Sequence, residues 1–168
     1  VEQANILEPS CGTGNFLGML PQEMQSSKLY GVELDSISGK IAKQLYQKAN
    51  IKVQGYEKAD LPDSFFDIAI GNVPFGDFKV NDKRYDKNNF LIHDYFFAKT
   101  LDKVRPGGVI AFITSKGTMD KASPEVRKYL AQRADLLGAI RLPDNTFTKN
   151  AGTKVTSDII FLQKRENL

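Results

Sequence analysis

Cysteine and histidine occur once each in the 168 residues, and tryptophan does not occur at all. One Cys cannot close an internal disulfide, and one Cys with one His cannot build a Cys/His zinc cage, so neither kind of staple is expected. A lone Cys suits a reducing compartment. No apolar run approaches the ~20 residues that cross a bilayer, and no leader pattern opens the chain. The expectation is a soluble cytoplasmic domain with no membrane and no metal partner. Charge of one sign is also missing: 23 Lys and Arg against 20 Asp and Glu leave +3. That excess is too small to argue for a polyanion partner by itself. Internal repeats and low-complexity tracts are absent. What remains is ordinary globular composition, with 41% hydrophobic and 26% charged residues and 13 Gly, so disordered and fibrous classes are excluded. At about 150 residues per domain, residues 1–168 read as one domain, large enough to bury a core.

Short apolar runs alternate with helical patterns. Strands are predicted at 5–8, 28–34, 51–54, 66–71, 109–114, 136–142 and 157–163. Helices are predicted at about 15–23, 36–49 (capped by Ser36), 88–104, and from Pro124 onward, where proline's missing N–H is harmless. Nearly continuous apolar strands alternating with helices indicate an α/β fold, a mostly parallel sheet covered on both faces. Only a polar loop separates the last two strands, which predicts one antiparallel strand near the C-terminus. The first strand begins five residues into the chain, and a charged tail follows the last. A catalytic core belonging to a longer protein is the expected organisation.

In open parallel sheets, ligands bind beyond the carboxyl ends of the strands, where strand order reverses. The turn after the first strand is Glu8-Pro9-Ser10-Cys11-Gly12-Thr13-Gly14, whose glycines allow close backbone approach to a ligand. Glu33 ends the second strand nineteen positions beyond Gly14, where an acidic side chain can accept from both hydroxyls of a ribose. An adenosine-type cofactor follows. The third glycine of the dinucleotide fingerprint is replaced by Leu17. Glu8, a carboxylate inside the loop, would repel a pyrophosphate and attract a sulfonium and an α-amino group. The charge pattern therefore favours S-adenosylmethionine over NAD. Cys11, with no accompanying His, reads as a small turn residue.

The fourth strand runs into Gly71-Asn72-Val73-Pro74-Phe75-Gly76. An exocyclic amine such as adenine N6 is a poor nucleophile, because its lone pair is delocalised into the ring. Two acceptors, the Asn72 amide oxygen and the Val73 carbonyl, can take its two hydrogens and direct that lone pair at a methyl donor. Pro74 fixes the backbone that presents the carbonyl, and Phe75 offers a face for a planar base.

These residues resemble the amino-methylating N6-adenine DNA methyltransferases, and within them the methylation subunits of type I restriction systems and related helicase-linked methylases. The resemblance runs from about residue 6 to 164. Leu7 to Phe16 match the first cofactor motif, placing Glu8, Pro9, Ser10, Gly12 and Gly14 at the cofactor. Glu33 matches the acidic ribose position, with Leu34 beside it. Asp60 and Leu61 resemble the motif that holds the cofactor's adenine, Asp60 bonding its amino group. Asn72-Val73-Pro74-Phe75 matches the catalytic Asn-Pro-Pro-aromatic, in which Asn72 also borders the cofactor. Leu142-Pro143-Asp144-Asn145-Thr146-Phe147 resembles the family's Leu-Pro-x-x-x-Phe, whose Phe packs on the flipped base. The resemblance implies a Rossmann-like methyltransferase fold, a seven-stranded mostly parallel sheet. The implied activity is S-adenosylmethionine-dependent, site-specific methylation of adenine N6 in DNA with the base flipped. The implied partners are DNA and a recognition subunit or helicase domain. Val73 departs from the family, whose motif carries Pro there, and the turn loses rigidity.

Three other readings stay open: methylation of RNA adenine or a protein glutamine amide, a cofactor-binding module without activity, and an NAD-dependent oxidoreductase, which Glu8 disfavours. Residues 77–89 carry Lys79, Lys83, Arg84 and Lys87 among Asp77, Asp82 and Asp86, and read equally as a mobile DNA-facing loop or a solvated surface loop. His93 reads as a helix-start or surface histidine, and Phe65 and Phe66 as core or adenine-site wall.

Overall fold

A computed structural model of the chain describes residues 3–12, 14, 27–115, 118–142 and 157–166, with the side chains of 119 and 120 left out. The strands are β1 (Asn5–Glu8), β2 (Lys28–Glu33), β3 (Asn50–Val53), β4 (Phe66–Asn72), β5 (Val104–Ser115), β6 (Ala134–Leu142) and β7 (Ser157–Lys164). The helices are α1 (Ser36–Leu45), α2 (Ile92–Lys103), the single turn α3 (Thr118–Lys121) and α4 (Pro124–Arg133). The helix expected at 15–23 lies outside the described residues.

The strands form one sheet in the order β3-β2-β1-β4-β5-β7-β6. All neighbours are parallel except that β7 is antiparallel to both β5 and β6. β7 thus lies between β5 and the edge strand β6, and the expected antiparallel strand near the C-terminus is present. This is the seven-stranded, mostly parallel arrangement that the resemblance implies. The order reverses between β1 and β4, which pair directly through Ile6–Ile68 and Leu7–Ala69. The first glycine loop and the Asn72 turn therefore leave the same sheet edge side by side.

Local chemistry sets most element ends. α1 is capped by Asp35, whose carboxylate accepts the Ser38 N–H at 2.8 Å, rather than by the adjacent Ser36. Ser123 caps α4 by accepting the Val126 N–H at 3.3 Å, with Pro124 in the first turn. α2 stops at Lys103, and β5 begins at the next residue instead of after the Pro106-Gly107-Gly108 stop. The β4–β5 register jumps from Phe66–Val104 to Ile68–Val109. The Pro-Gly-Gly segment bulges out of the ladder there, where Pro106 has no N–H to contribute.

α2 is buried at every position except Asp102, because the sheet covers one side while α4 and residues 77–91 cover the other. Phe97 and Phe112 meet edge to face at 5.2 Å in this core, both fully buried. Burial of such a side chain contributes about 1.5–3 kcal/mol. Two lysines of α2 lie in the same core with their ammonium groups satisfied. Lys99 donates to the Tyr56 carbonyl and Lys103 to the Leu61 carbonyl, each at 2.9 Å. Phe66 is core, and Phe65 packs on it and on Tyr30. No described helix is long and apolar enough to cross a membrane.

Candidate active site

β1 ends on Glu8, paired with Gly31 of β2, and β2 ends on Glu33, paired with Val53 of β3. The chain leaving β1 turns at once. Cys11 donates its N–H to the Val32 carbonyl at 2.9 Å, and Gly14 donates to the Cys11 carbonyl at 2.8 Å. Gly14 has φ +91°, and a Cβ there would sit 2.4 Å from the Tyr46 ring, so only glycine suits the position. Gly12 donates its N–H to Glu33 Oε1 at 2.9 Å, while Glu33 Oε2 accepts the Asp35 N–H at 2.7 Å. One carboxylate thereby ties the first loop to the turn after β2. Each oxygen keeps a second lone pair for a ligand hydroxyl.

Glu8 is 1% exposed, and its Oε2 has no hydrogen-bond partner. Burial, and then the nearby Glu33 charge, push its carboxyl up to about 8. Near neutral pH it is therefore held as the neutral acid, and a cationic group brought against Oε2 would favour its ionised form. Cys11 is buried and its thiol is pushed up to about 12, chiefly by burial and then by the Glu8 and Glu33 charges. That environment keeps it inert and agrees with a turn residue. Pro9 is buried and Ser10 half-buried in the same turn.

β4 delivers the second half. A Cβ built on Gly71 would lie 3.4 Å from Glu8 Cγ and 3.9 Å from Pro9 Cδ, so the two loops touch at this glycine. Asn72 follows, exposed, as the last residue of β4. Val73 is buried and donates its N–H to the Ile113 carbonyl at 3.1 Å, extending the ladder one residue beyond the strand. Pro74 is half-buried, and Phe75 is 50% exposed with one face stacked on the His93 ring. A cavity of about 610 Å³ opens beside that stack, bordered by Lys79, Asn89, Phe90 and Tyr129.

The structure thus brings together Glu8, Pro9, Ser10, Gly12, Gly14, Glu33, Asn72, Val73, Pro74 and Phe75. Leu34 is next to Glu33 and strongly exposed, an apolar side chain presented to solvent. Asp60 and Leu61 are not brought to this cluster. Leu61 is core, and its carbonyl takes the Lys103 ammonium at the end of α2. There Ser64 and Phe65 also donate to the Asp102 and Lys103 carbonyls, at the edge of the sheet where β4 and β5 begin. The segment that leaves β3 level with Glu33 is Gln54–Glu57, and the return path has already descended by Asp60. The strand pairing Glu33–Val53 is the signal that identifies it. Phe147 and residues 143–146 lie outside the described residues.

The stretch 77–89 is anchored. Asp82 accepts from the Tyr95 hydroxyl at 2.6 Å and from Lys99 at 3.0 Å, while Tyr85 is buried with its hydroxyl on Asp102. Arg84 pairs with Asp63 and Asp102 at 2.8 and 3.3 Å. His93, expected at a helix start or surface, does open α2 but is buried. Among the described residues, no group of three or more His, Cys, Asp or Glu is placed to hold a metal ion.

Comparison with known proteins finds a matching family model and several similar proteins. A family model described as N-6 DNA Methylase matches residues 1–167. The phage P1 "Defense against restriction protein B" is 32% identical over 95% of this chain and 7% of its own length. "Modification methylase CviBIII" of Paramecium bursaria Chlorella virus NC1A is 26% identical over 93% of this chain and 42% of its own. A solved Listeria monocytogenes structure, described as a candidate class I S-adenosylmethionine-dependent methyltransferase, superposes with TM-score 0.78 at 22% identity. It covers 98% of this chain and 55% of that one. The chain spans less than half the length of the two curated relatives.

Proposed function

This chain belongs to the N-6 DNA methylase family, and from that premise we propose that it is the methyl-transfer core of an adenine-specific DNA methyltransferase using S-adenosylmethionine. The observation that carries the reading is the contact at Gly71, which sets the Asn72 turn against the unpartnered Glu8 carboxylate. A base-activating turn and a cation-seeking loop then lie side by side at one sheet edge.

S-adenosylmethionine, when bound, supplies an activated methyl group on a sulfonium centre. The residues present fit it. Glu8, with its orphaned Oε2, would take the positive methionine end. Gly12 and Gly14 let the backbone come close, and Glu33 retains lone pairs for the ribose hydroxyls. Asn72 and the Val73 carbonyl accept the two hydrogens of adenine N6 and orient its lone pair. Phe75 takes the base plane on its free face. Most of the catalysis is positioning and placement of acceptors. Extrusion of the base from a duplex costs a few kcal/mol and is offset by that stacking. Recognition of a target sequence and coupling to a helicase or restriction partner are assigned to other parts of the full-length protein.

Labelled S-adenosylmethionine offered separately with unmethylated plasmid DNA, RNA and protein tests the reading. Transfer to DNA alone, lost in Asn72→Ala while cofactor affinity stays within a few-fold, is the expected result. Transfer to RNA or protein, or full turnover by Asn72→Ala, overturns it.

A further inference from the structure

We propose that His93 is a positioning residue that backs Phe75, fixing the plane of its ring so that the opposite face is presented to the extruded base. The inference rests on the methyl-transfer reading above and assigns a role to a side chain outside both sequence motifs.

Phe75 follows the catalytic Asn-Val-Pro on a half-exposed turn, where a phenyl ring has several staggered χ1 states and a broad χ2. Stacking of a base needs one of them. The cavity of about 610 Å³ beside the ring is larger than a phenyl group needs, so the described residues leave the ring room to swing there. His93 restrains it. Its ring lies 4.6 Å from the Phe75 ring at an interplanar angle of 24°, within the range of offset stacking. The imidazole is itself fixed, because it belongs to the first turn of α2 and is 7% exposed.

Polar contacts do not explain the histidine. Nδ1 has no hydrogen-bond partner, and Nε2 is 3.7 Å from Asp94 Oδ2, too far for a hydrogen bond. Its defined interaction is the flat one with Phe75. Burial lowers the tendency of the imidazole to protonate, against the opposing Asp94 charge. The site then reads as three layers: imidazole, phenyl and target base. Its inner layer is built into the helix, and its outer layer arrives with the substrate.

The test compares His93→Leu, which keeps apolar volume without a flat ring, with His93→Phe, which restores the ring. Steady-state transfer by the full-length protein is measured on unmethylated plasmid DNA, varying DNA and S-adenosylmethionine separately. His93→Leu should lower kcat/KM for DNA at least about tenfold, leave KM for the cofactor within about twofold, and be rescued to within about threefold by His93→Phe. Because this chain has no tryptophan, Phe75→Trp in the isolated chain adds a reporter that does not depend on turnover. Its acrylamide quenching should rise, and its anisotropy fall, when His93→Leu is added. Equal transfer by wild type and His93→Leu, equal loss in the Leu and Phe variants, or parallel loss of cofactor affinity each overturns the positioning role. So does an unchanged Trp signal. If the unsubstituted protein methylates no DNA, the methyl-transfer reading itself fails, while the Trp reporter still decides whether His93 orders position 75.

Discussion

Glu33 accepts the Gly12 N–H at 2.9 Å, so the acidic residue ending β2 is part of the loop that follows β1 before any ligand arrives. Its other oxygen holds the Asp35 N–H at 2.7 Å. Glu33→Ala therefore removes two acceptors from the backbone as well as those available to a ribose. Hydrogen bonds to a charged group are worth about 1.5–3 kcal/mol each. Cofactor affinity should fall at least about tenfold by calorimetry, with a small loss of thermal stability as the loop loses its tie. A folded variant with unchanged affinity would remove Glu33 from the cofactor site.

The Glu8 carboxyl makes stability fall with rising pH. Its folded value is pushed to about 8 by burial and then by Glu33, against 4.5 as the ordinary value. Between those limits the folded chain holds a proton that the unfolded chain has lost. Unfolding free energy thus declines as pH rises from about 4.5, and the loss is complete just above 8. Glu8→Gln mimics the protonated form and should show a flatter profile, exceeding wild type in stability by on the order of a few kcal/mol at pH 8.5 and matching it at pH 4.5. Urea titrations of both proteins at pH 4.5, 6.5 and 8.5 measure the difference, in which the other titrating groups cancel. A constant difference across the series refutes the assignment. S-adenosylmethionine, whose cationic end Glu8 is proposed to take, should narrow the gap at high pH.

The sequence was most legible where the chemistry is local. Gly12, Gly14 and Glu33 stand at a spacing that β1 and β2 convert into proximity, and Asn72 to Phe75 are consecutive, so the gathering of these residues at one sheet edge is legible in the sequence. Parallel order and the late antiparallel strand followed from apolar runs and the missing helix. Long-range contacts were not readable. Asp60 and Leu61 matched a motif by type, but the chain turns through Tyr56–Lys58 and descends, which places Leu61 against Lys103 instead. Asp82 gave no sign that it would meet Tyr95 and Lys99, thirteen and seventeen residues on. His93 looked superficial because α2 carries polar residues all round, and only the loop and α4 folded over it make that helix interior. At α1, Asp35 and Ser36 are both good caps, and geometry chose the first.

Lys99 is the post on which residues 77–89 are hung. Its ammonium meets Asp82 at 3.0 Å, the Tyr56 carbonyl at 2.9 Å and the Tyr95 hydroxyl at 3.2 Å, with the side chain only 6% exposed. Lys99→Met fills the same volume and leaves Asp82 without its counter-charge. Breaking a buried pair from one side costs about 3–5 kcal/mol, and the partial exposure of Asp82 places this one at the lower end. Adding Asp82→Asn should recover part of the loss, a coupling of about 0.5–3 kcal/mol in a double-mutant cycle. Limited proteolysis should locate new cleavage between Asp77 and Asn89 in the single variant. Additive losses would show that the pair does not act as a unit.

Val73 occupies the position where the family motif has proline, and the obvious repair, Val73→Pro, should fail. The Val73 N–H is bonded to the Ile113 carbonyl at 3.1 Å, one rung past the end of β4, and both residues are buried. Proline has no N–H, so the substitution deletes the rung and strands an acceptor. The lost bond is worth about 0.5–1.5 kcal/mol, and an unsatisfied buried group costs about 1–3 kcal/mol. A stiffer unfolded chain returns only about 0.4–1 kcal/mol. Destabilisation by about 2 kcal/mol, within a range of roughly 0.5–4 kcal/mol, is therefore expected, read as a fall in thermal midpoint and faster amide exchange at the β4–β5 edge. The carbonyl at position 73 that is proposed to face adenine N6 is present in either residue, so turnover should not exceed wild type. A more stable or faster Val73→Pro protein would mean that the rung to Ile113 contributes nothing and that valine is simply a looser version of the family's turn.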